Sequence, residues 1–578
     1  MLYRLGLLCL LVLVGCTVAG TTSPIASPVS NIPPPTIAIT NVVPTAVPTL
    51  QLPTVVPTLL STSTPPAPTP TPIPPTPLPQ PVVLAPTYPE EILFLRGGSL
   101  VAIDPSSNQE RVLANNVRDV AIDLTGRHLA VASNQTINLI DRSSGSVQTL
   151  VSGKIAYGLS WAPDGLTLAY AAAPQPPTLP FDWMQWSNWC ATATVYLIDL
   201  PTLNELTIGS GCDPVFASDG RRLAFATSPS IQPGSLNFPG QNNAIRLVNR
   251  AGANAWNLAT ANGSPGSGYL VYRPAWLPDA KMVAYQRFLG YQALVDLNLT
   301  MITDSSGGTE NPTLIGTGWL RPPAFSPDGQ YVASVEYNFS DPRGFSGYDI
   351  WEFALVQLKG QRSEILPSGN LNLFGTVVAQ LPRITSAAWS PQGDSLVILT
   401  PENWNATADP NDPLYSVTTP GELWRLSTKG LPQKMVTNNV DYASPLIWAP
   451  EDLVTAQIGL ATIRYPAYWQ FAPVTNNGEL VATGNGRFIG RRTVANSALL
   501  NGSTWMQTVS DWISVAQADP PYQLPDGSYL VTFSGQAAGS AISGVARFNA
   551  NTIIISYAPV SAWPNEQAWG IGLAFAAQ

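Results

Sequence analysis

The 578-residue chain is acidic, with 27 Lys and Arg against 36 Asp and Glu, a formal net charge of −9 and only 11% charged residues. That balance argues against nucleic acid or an anionic lipid surface as the main partner, because a field of this sign repels polyanions. One histidine and four cysteines leave almost no material for a Ser-His-Asp or Cys-His site, or for a zinc cage built on histidine.

The first elements in chain order are addresses rather than structure. Arg4 precedes an apolar run over residues 5–14 that ends in small residues before Cys16, the pattern of an export signal and too short to span a bilayer. Leu13-Val14-Gly15-Cys16 resembles the lipobox of bacterial lipoproteins, which implies diacylglycerol on the Cys16 thiol, cleavage before it, and a lipid anchor in the cell membrane, or in the outer membrane of a double-membrane cell. Residues 1–16 are therefore read as a lipoprotein signal peptide with its lipobox, and the competing reading is an ordinary signal peptide with an incidental cysteine. Residues 17–89 hold no Asp, Glu, Lys or Arg and are rich in Pro and Thr. Such a segment cannot bury a core and favours polyproline II, a stalk with an extended limit on the order of 200 Å.

Residues 90–457 repeat a motif: an apolar or aromatic residue, a tight turn, then an apolar strand. Copies include Trp161-Ala162-Pro163-Asp164-Gly165, Phe216-Ala217-Ser218-Asp219-Gly220, Phe325-Ser326-Pro327-Asp328-Gly329 and Trp389-Ser390-Pro391-Gln392-Gly393, with a degraded last copy at Trp448. Pro presets a type I turn, Asp bonds nearby backbone and Gly closes it, so these aspartates are read as structural. A second series of strands ends in polar turns, as in Leu139-Ile140-Asp141 and Leu197-Ile198-Asp199. Seven copies of each, the two series offset and the turn anchors spaced 39 to 64 residues apart, predict a mainly β fold. Its core is a β-propeller of seven four-stranded blades, with six or eight left open by the degraded copy. Strands near Ile92 are expected to complete the blade begun at Trp448. The turn series resembles TolB-like propellers, a WD-repeat-like architecture whose members sit in the cell envelope and recruit partners; their N-terminal α/β domain has no counterpart here.

Residues 458–578 leave the repeat and are read as a small α+β domain. A hairpin turn is expected at Asn476-Asn477-Gly478, then a helix from Thr504 with Trp505, Val509, Trp512, Ile513 and Ala516 on one face. Strands near 529–534, 544–548 and 553–557 and a short helix near Glu566 follow. The Tyr465-Pro466-Ala467-Tyr468-Trp469 opening and this order resemble PsbP-like domains, which implies a docking role.

Catalytic signatures are sparse. His128 begins a strand and is read as structural; the glycines at 484, 486 and 490 have the wrong spacing for a dinucleotide loop; Asp409, Asn411 and Asp412 lack a calcium-loop spacing. No cofactor or metal is expected. Cys190 and Cys212 form an even pair in an oxidising compartment, so a disulfide is expected, with two buried thiols as the competing reading. Extra length gathers in loops on one propeller face, 174–193, 228–243, 338–347 and 402–421, and loops on a rigid scaffold are where binding tends to live. The first carries Trp183, Trp186 and Trp189, candidates for stacking on sugar rings or apolar side chains; packing of the loop onto the blades is the competing reading. Strands nearest the channel are approached through Arg118, Lys154, Asp213, Arg273, Arg321, Arg383 and Asp441, a cationic bias read either as an anion-attracting mouth or as structural pairing. The expected function is a membrane-anchored extracytoplasmic binding or scaffolding lipoprotein for an envelope glycan, peptide or protein partner. A carboxylate-based polysaccharide hydrolase or lyase and a purely structural assembly subunit are the alternatives.

Overall fold

The computed structural model describes residues 80–577, except 178–182, 230–242, 263–268, 289–297, 307–311, 318–320, 338–350, 358–375, 383–385, 402–419, 428–431, 436–437, 442–443, 477–478 and 495–503. Cys16, the stalk up to residue 79, Arg383 and the Asp409 to Asp412 run therefore lie outside the described residues. The fold is mainly β: successive four-stranded antiparallel meanders follow one another as a β-propeller, for example Asp119–Ile122, His128–Ala132, Thr136–Asp141 and Val147–Ser152.

The turn chemistry works as the residues dictate. Asp164, Asp219 and Asp328 each accept from the backbone N–H two residues on, at 2.8, 2.9 and 3.0 Å, and Gly165, Gly220 and Gly329 take the left-handed conformation that closes the turn. Ala280 stands where the motif has glycine and still adopts φ +56°, a conformation that costs a residue with a Cβ about 1 kcal/mol or more. The motif's indoles lock neighbouring meanders together: Trp161, Trp276 and Trp389 donate Nε1–H to the carbonyls of Ala121, Val215 and Ala324 on the preceding inner strands, at 3.3, 3.2 and 3.0 Å. His128 is structural in the same way, with Nδ1 2.9 Å from Asp123.

Ring closure follows the offset of the two repeat series. Glu91–Arg96 pairs with Ile447–Ala449, Ile92 opposite Trp448, so the first strand of the ring completes its last sheet. A buried charge cluster ties this seam. Glu91, 3% exposed, accepts from Arg111 at 2.7 Å and Arg142 at 2.8 Å, and Arg142 also donates to the carbonyls of Gly126, Pro450 and Pro89. Burial pulls the Glu91 carboxyl upward, but the hydrogen bonds and charges of the two arginines outweigh it and hold the group below the usual carboxylate range.

The strand Val82–Leu84 forms within the stretch whose composition reads as the end of the stalk, pairing with Val454–Ile458, which in turn pairs with Ala461–Tyr465. Beyond it, one antiparallel sheet runs through Ala472–Asn476, Glu479–Gly484, Arg487–Thr493, Thr552–Pro559, Ser540–Phe548, Tyr529–Ala537 and Ser514–Ala518. Asn476 pairs with Glu479, the hairpin expected there. The helix expected from Thr504 is only Thr504–Thr508; Trp505, Val509 and Ile513 are buried, but Ala516 lies in the edge strand, because Ser514 is already drawn into pairing with Gln536. The helix near Glu566 is longer than expected, Trp563–Ala576. It docks on the ring's turn face at Gly572, where a Cβ would meet Leu124 and the Pro163 carbonyl at 3.1 Å. No helix among the described residues is long and apolar enough to cross a membrane.

Arg142→Ala should cost about 3–5 kcal/mol, since it strands a buried carboxylate. Because the folded Glu91 carboxyl lies below its unfolded value, its stabilisation is complete above about pH 4.3 and is lost as pH falls through the folded value. Urea unfolding at pH 7 and pH 3.5 should show a smaller acid loss in the Arg142→Ala protein than in wild type.

Candidate functional site

The site is built from a backbone irregularity that recurs in consecutive inner strands. Register shifts interrupt Ile155–Trp161, Asn204–Phe216 and Leu270–Trp276 at equivalent places, and the residues there, Gly158, Asp213 and Arg273, have φ of +65°, +53° and +51°. Glycine tolerates this; Asp213 and Arg273 do so under strain, each directly before a proline. Bulges of this kind re-aim side chains, and here they place charged groups on a central cavity of about 630 Å³ lined by Asp119, Tyr157, Trp186, Asp213, Arg273 and Arg321 among others.

The charged groups interlock around the ring. Asp119 accepts from the N–H groups of Gly158 and Leu159 at 2.7 and 3.2 Å and lies 3.9 Å from the Arg321 guanidinium. Asp213 accepts from the Arg273 N–H and from Trp186 Nε1, both at 3.1 Å, while the Arg273 guanidinium lies 5.2 Å from the centre of the Trp186 ring. Burial pushes both carboxyls up, against the pull of Arg321 on Asp119 and of Arg273 on Asp213. Burial likewise lowers both guanidinium groups, Arg273 to about 9, with the same carboxylates opposing. Burial raises the Tyr157 hydroxyl, and Arg118 beside it opposes that rise. The result is a fixed array of both signs rather than a purely cationic mouth.

Cys190 and Cys212 form the expected disulfide, closing a separation of 22 residues with both cysteines fully buried. It joins the end of the helix Trp183–Cys190 to the strand that carries Asp213, and so holds Trp186 over that carboxylate. Of the two readings of this loop, the environment of Trp186 and Trp189 agrees with packing onto the blades. They are 4% and 5% exposed, 4.9 Å apart, and meet Tyr157 edge-on at 6.4 and 5.5 Å; only Trp186 reaches the cavity wall. The Trp183 side chain lies outside the described residues. Lys154 is spent on Glu205 and on the Tyr196 ring, 3.5 Å from its centroid, and does not line the cavity. Asp441 accepts from the N–H groups of Gly97 and Gly98 at 2.8 and 3.1 Å, a structural role.

The sequence reading missed Asp119 and Tyr157, and also the helix. Two signals were available: the i, i+3 spacing of Trp183, Trp186 and Trp189, which is helical, and the charged-residue-proline pairs Asp213-Pro214, Arg273-Pro274 and Arg321-Pro322 at one position of three consecutive repeats.

No known family profile matches the chain, and no curated protein matches it. Among solved structures it is similar to TolB from Acinetobacter baumannii at 16% identity and TM-score 0.32, over 47% of this chain and 62% of that one. It is also similar to a chain of a mitotic checkpoint complex at 14% identity and TM-score 0.36, over 66% and 95%. A third is apo AztD from Citrobacter koseri at 11% identity and TM-score 0.31, over 70% and 91%. Likenesses this distant carry no argument about activity, and the fold rests on the strand pairing described above.

Reducing the disulfide should lower stability by about 3 kcal/mol, the chain-entropy value for a loop of this length. It should also red-shift tryptophan emission as Trp186 and Trp189 gain access to water; denaturant titrations with and without reductant, followed by fluorescence, read both effects.

Proposed function

We propose that the protein is an extracytoplasmic binding lipoprotein, lipidated at Cys16, that carries a seven-bladed propeller (90–457) and a small α+β domain (458–578) on a Pro/Thr-rich stalk. Its central cavity receives part of an envelope glycan, peptide or protein partner. The observation that carries this reading is the array of Asp119, Asp213, Arg273 and Arg321 around one cavity, with Asp213 and Arg273 held at a strained backbone. Backbone strain and buried charge are both costly, and their convergence on a concave site is the usual mark of recognition. Fixed groups of both signs beside Trp186 and Tyr157 fit a polar segment that offers donors and acceptors together with some apolar surface. The TolB-like turn series agrees with an envelope protein that recruits partners.

A second reading, a polysaccharide hydrolase or lyase, draws on one observation: two carboxyls, Asp119 and Asp213, are raised by burial in the same cavity.

Calorimetric titration of the full secreted chain with envelope polysaccharide fragments and peptide stems should give saturable binding without new reducing ends. Arg321→Gln should weaken it roughly tenfold or more, with near-UV circular dichroism confirming that the variant is folded. Undiminished binding would remove the cavity from the reading, and reducing ends that disappear in Asp119→Asn would shift it to the hydrolase. Cys16→Ser should abolish fatty-acid labelling and release the protein from the membrane fraction; labelling that persists in the variant rules out lipid at Cys16.

A further inference from the structure

A second cavity, of about 370 Å³, lies between the ring's turn face and the C-terminal sheet, on the other side of Leu124 and Pro163, which it shares with the central cavity. Five basic side chains line it, Arg127, His128, Arg464, Arg491 and Arg547. Four have carboxylate partners: Arg127 lies 2.9 Å from Asp141, Arg547 lies 2.7 Å from Asp526, His128 Nδ1 lies 2.9 Å from Asp123, and Arg464 bonds Asp452. Arg491 is different. Among the described residues its guanidinium has no hydrogen-bond or ion-pair partner, and its Nε is sealed from solvent. Burial alone acts on it, pushing it below its ordinary value. A cation held partly out of water without a counter-charge is costly, and this one sits on a strand, Arg487–Thr493, that offers it little freedom to retreat.

Leu124 and Leu166 from the ring and Phe548, Ile554 and Phe575 from the C-terminal domain give the wall its apolar part, and the two carboxylates in it are paired, Asp123 with His128 and Asp164 with Arg250. One uncompensated cation in a chamber of this size matches a monoanion with a ring-sized apolar body, since pockets for small molecules begin at about 300 Å³. Guanidinium pairs with carboxylate through two parallel hydrogen bonds. A phosphate dianion would bring a second charge for which no unpaired arginine remains in this wall. We infer that this cavity binds a small organic carboxylate, its carboxylate against Arg491 and its apolar body between the C-terminal phenylalanines and the ring's turn leucines. Because both parts of the protein form the wall, such a ligand fastens the C-terminal domain to the ring.

The test uses the full chain with benzoate, phenylacetate and isovalerate as probes, and phenylacetamide and inorganic phosphate as controls, followed by calorimetry and thermal melting. At least one of the acids should bind saturably, roughly tenfold or more tighter than either control, and raise the melting temperature. Arg491→Gln should lose that binding at least tenfold, while its ligand-free form melts at or above wild type because an unpaired charge has been removed. The inference is overturned if no acid binds, if phenylacetamide or phosphate binds as tightly, or if Arg491→Gln binds unchanged. It is equally overturned if ligand-free Arg491→Gln melts below wild type, which would show that the cation is already paired in solution.

Discussion

Everything in the ring depends on one act of pairing between strands more than 300 residues apart in sequence. Until Glu91–Arg96 meets Ile447–Ala449, both ends of the propeller are open sheet edges, and open edges invite the wrong partners. The pairing is short, with three register partners, so backbone hydrogen bonds alone are a modest clasp. Arg142 makes up the difference: it reaches from the neighbouring sheet to Glu91 and to the carbonyls of Pro89 and Pro450, on both sides of the seam. A loop closure of this length carries a large entropy cost, and a buried, fully bonded charge cluster gives the closed state a unique register that apolar packing alone would leave looser.

The two ends of the ring solve different problems. At the turn end, proline, aspartate and glycine keep the backbone in low-energy turns, and the C-terminal helix can approach because Gly572 presents no side chain to Leu124. At the opposite end the inner strands bulge into conformations that Asp213 and Arg273 hold only because partners over-determine them: each carboxylate accepts from the backbone of the next bulge, Asp119 from Gly158 and Asp213 from Arg273. Strain is thus concentrated at the bulged end, with Ala280 the exception among the turns.

What was legible in the residues was whatever repeats or stays local. The Trp-Ala-Pro-Asp-Gly turns, the meander order, the seam at Ile92 and Trp448, the hairpin at Asn476 and the Cys190–Cys212 bond all follow from short-range chemistry or simple counting. Legibility stopped where a side chain's partner comes from another part of the chain. The tryptophans of the 174–193 insertion read either as stacking faces or as packing because nothing local shows that Tyr157 and Asp213 cover them. The cationic bias read either as an anion-attracting mouth or as structural pairing because the pairing of Arg321 with Asp119 spans about 200 residues. Ala516 read as helical because an apolar period of 3.6 cannot reveal that an edge strand at Gln536 stands ready to recruit Ser514.

The strand Val82–Leu84 has a mechanical meaning. It is the first paired element of the described chain, and it bonds not to the ring but to Val454–Ile458, the segment that leads into the C-terminal sheet; just after it, the Thr87 hydroxyl and N–H both bond Asp452. Tension applied at residue 80 is therefore delivered first to the segment around Asp452 and onward through Ala461–Tyr465 to the C-terminal domain, before it reaches Glu91 and the seam. Three register pairs and the two Thr87–Asp452 hydrogen bonds thus stand between residue 80 and the seam, like the clamp on a cable, and a pull from that side meets them first.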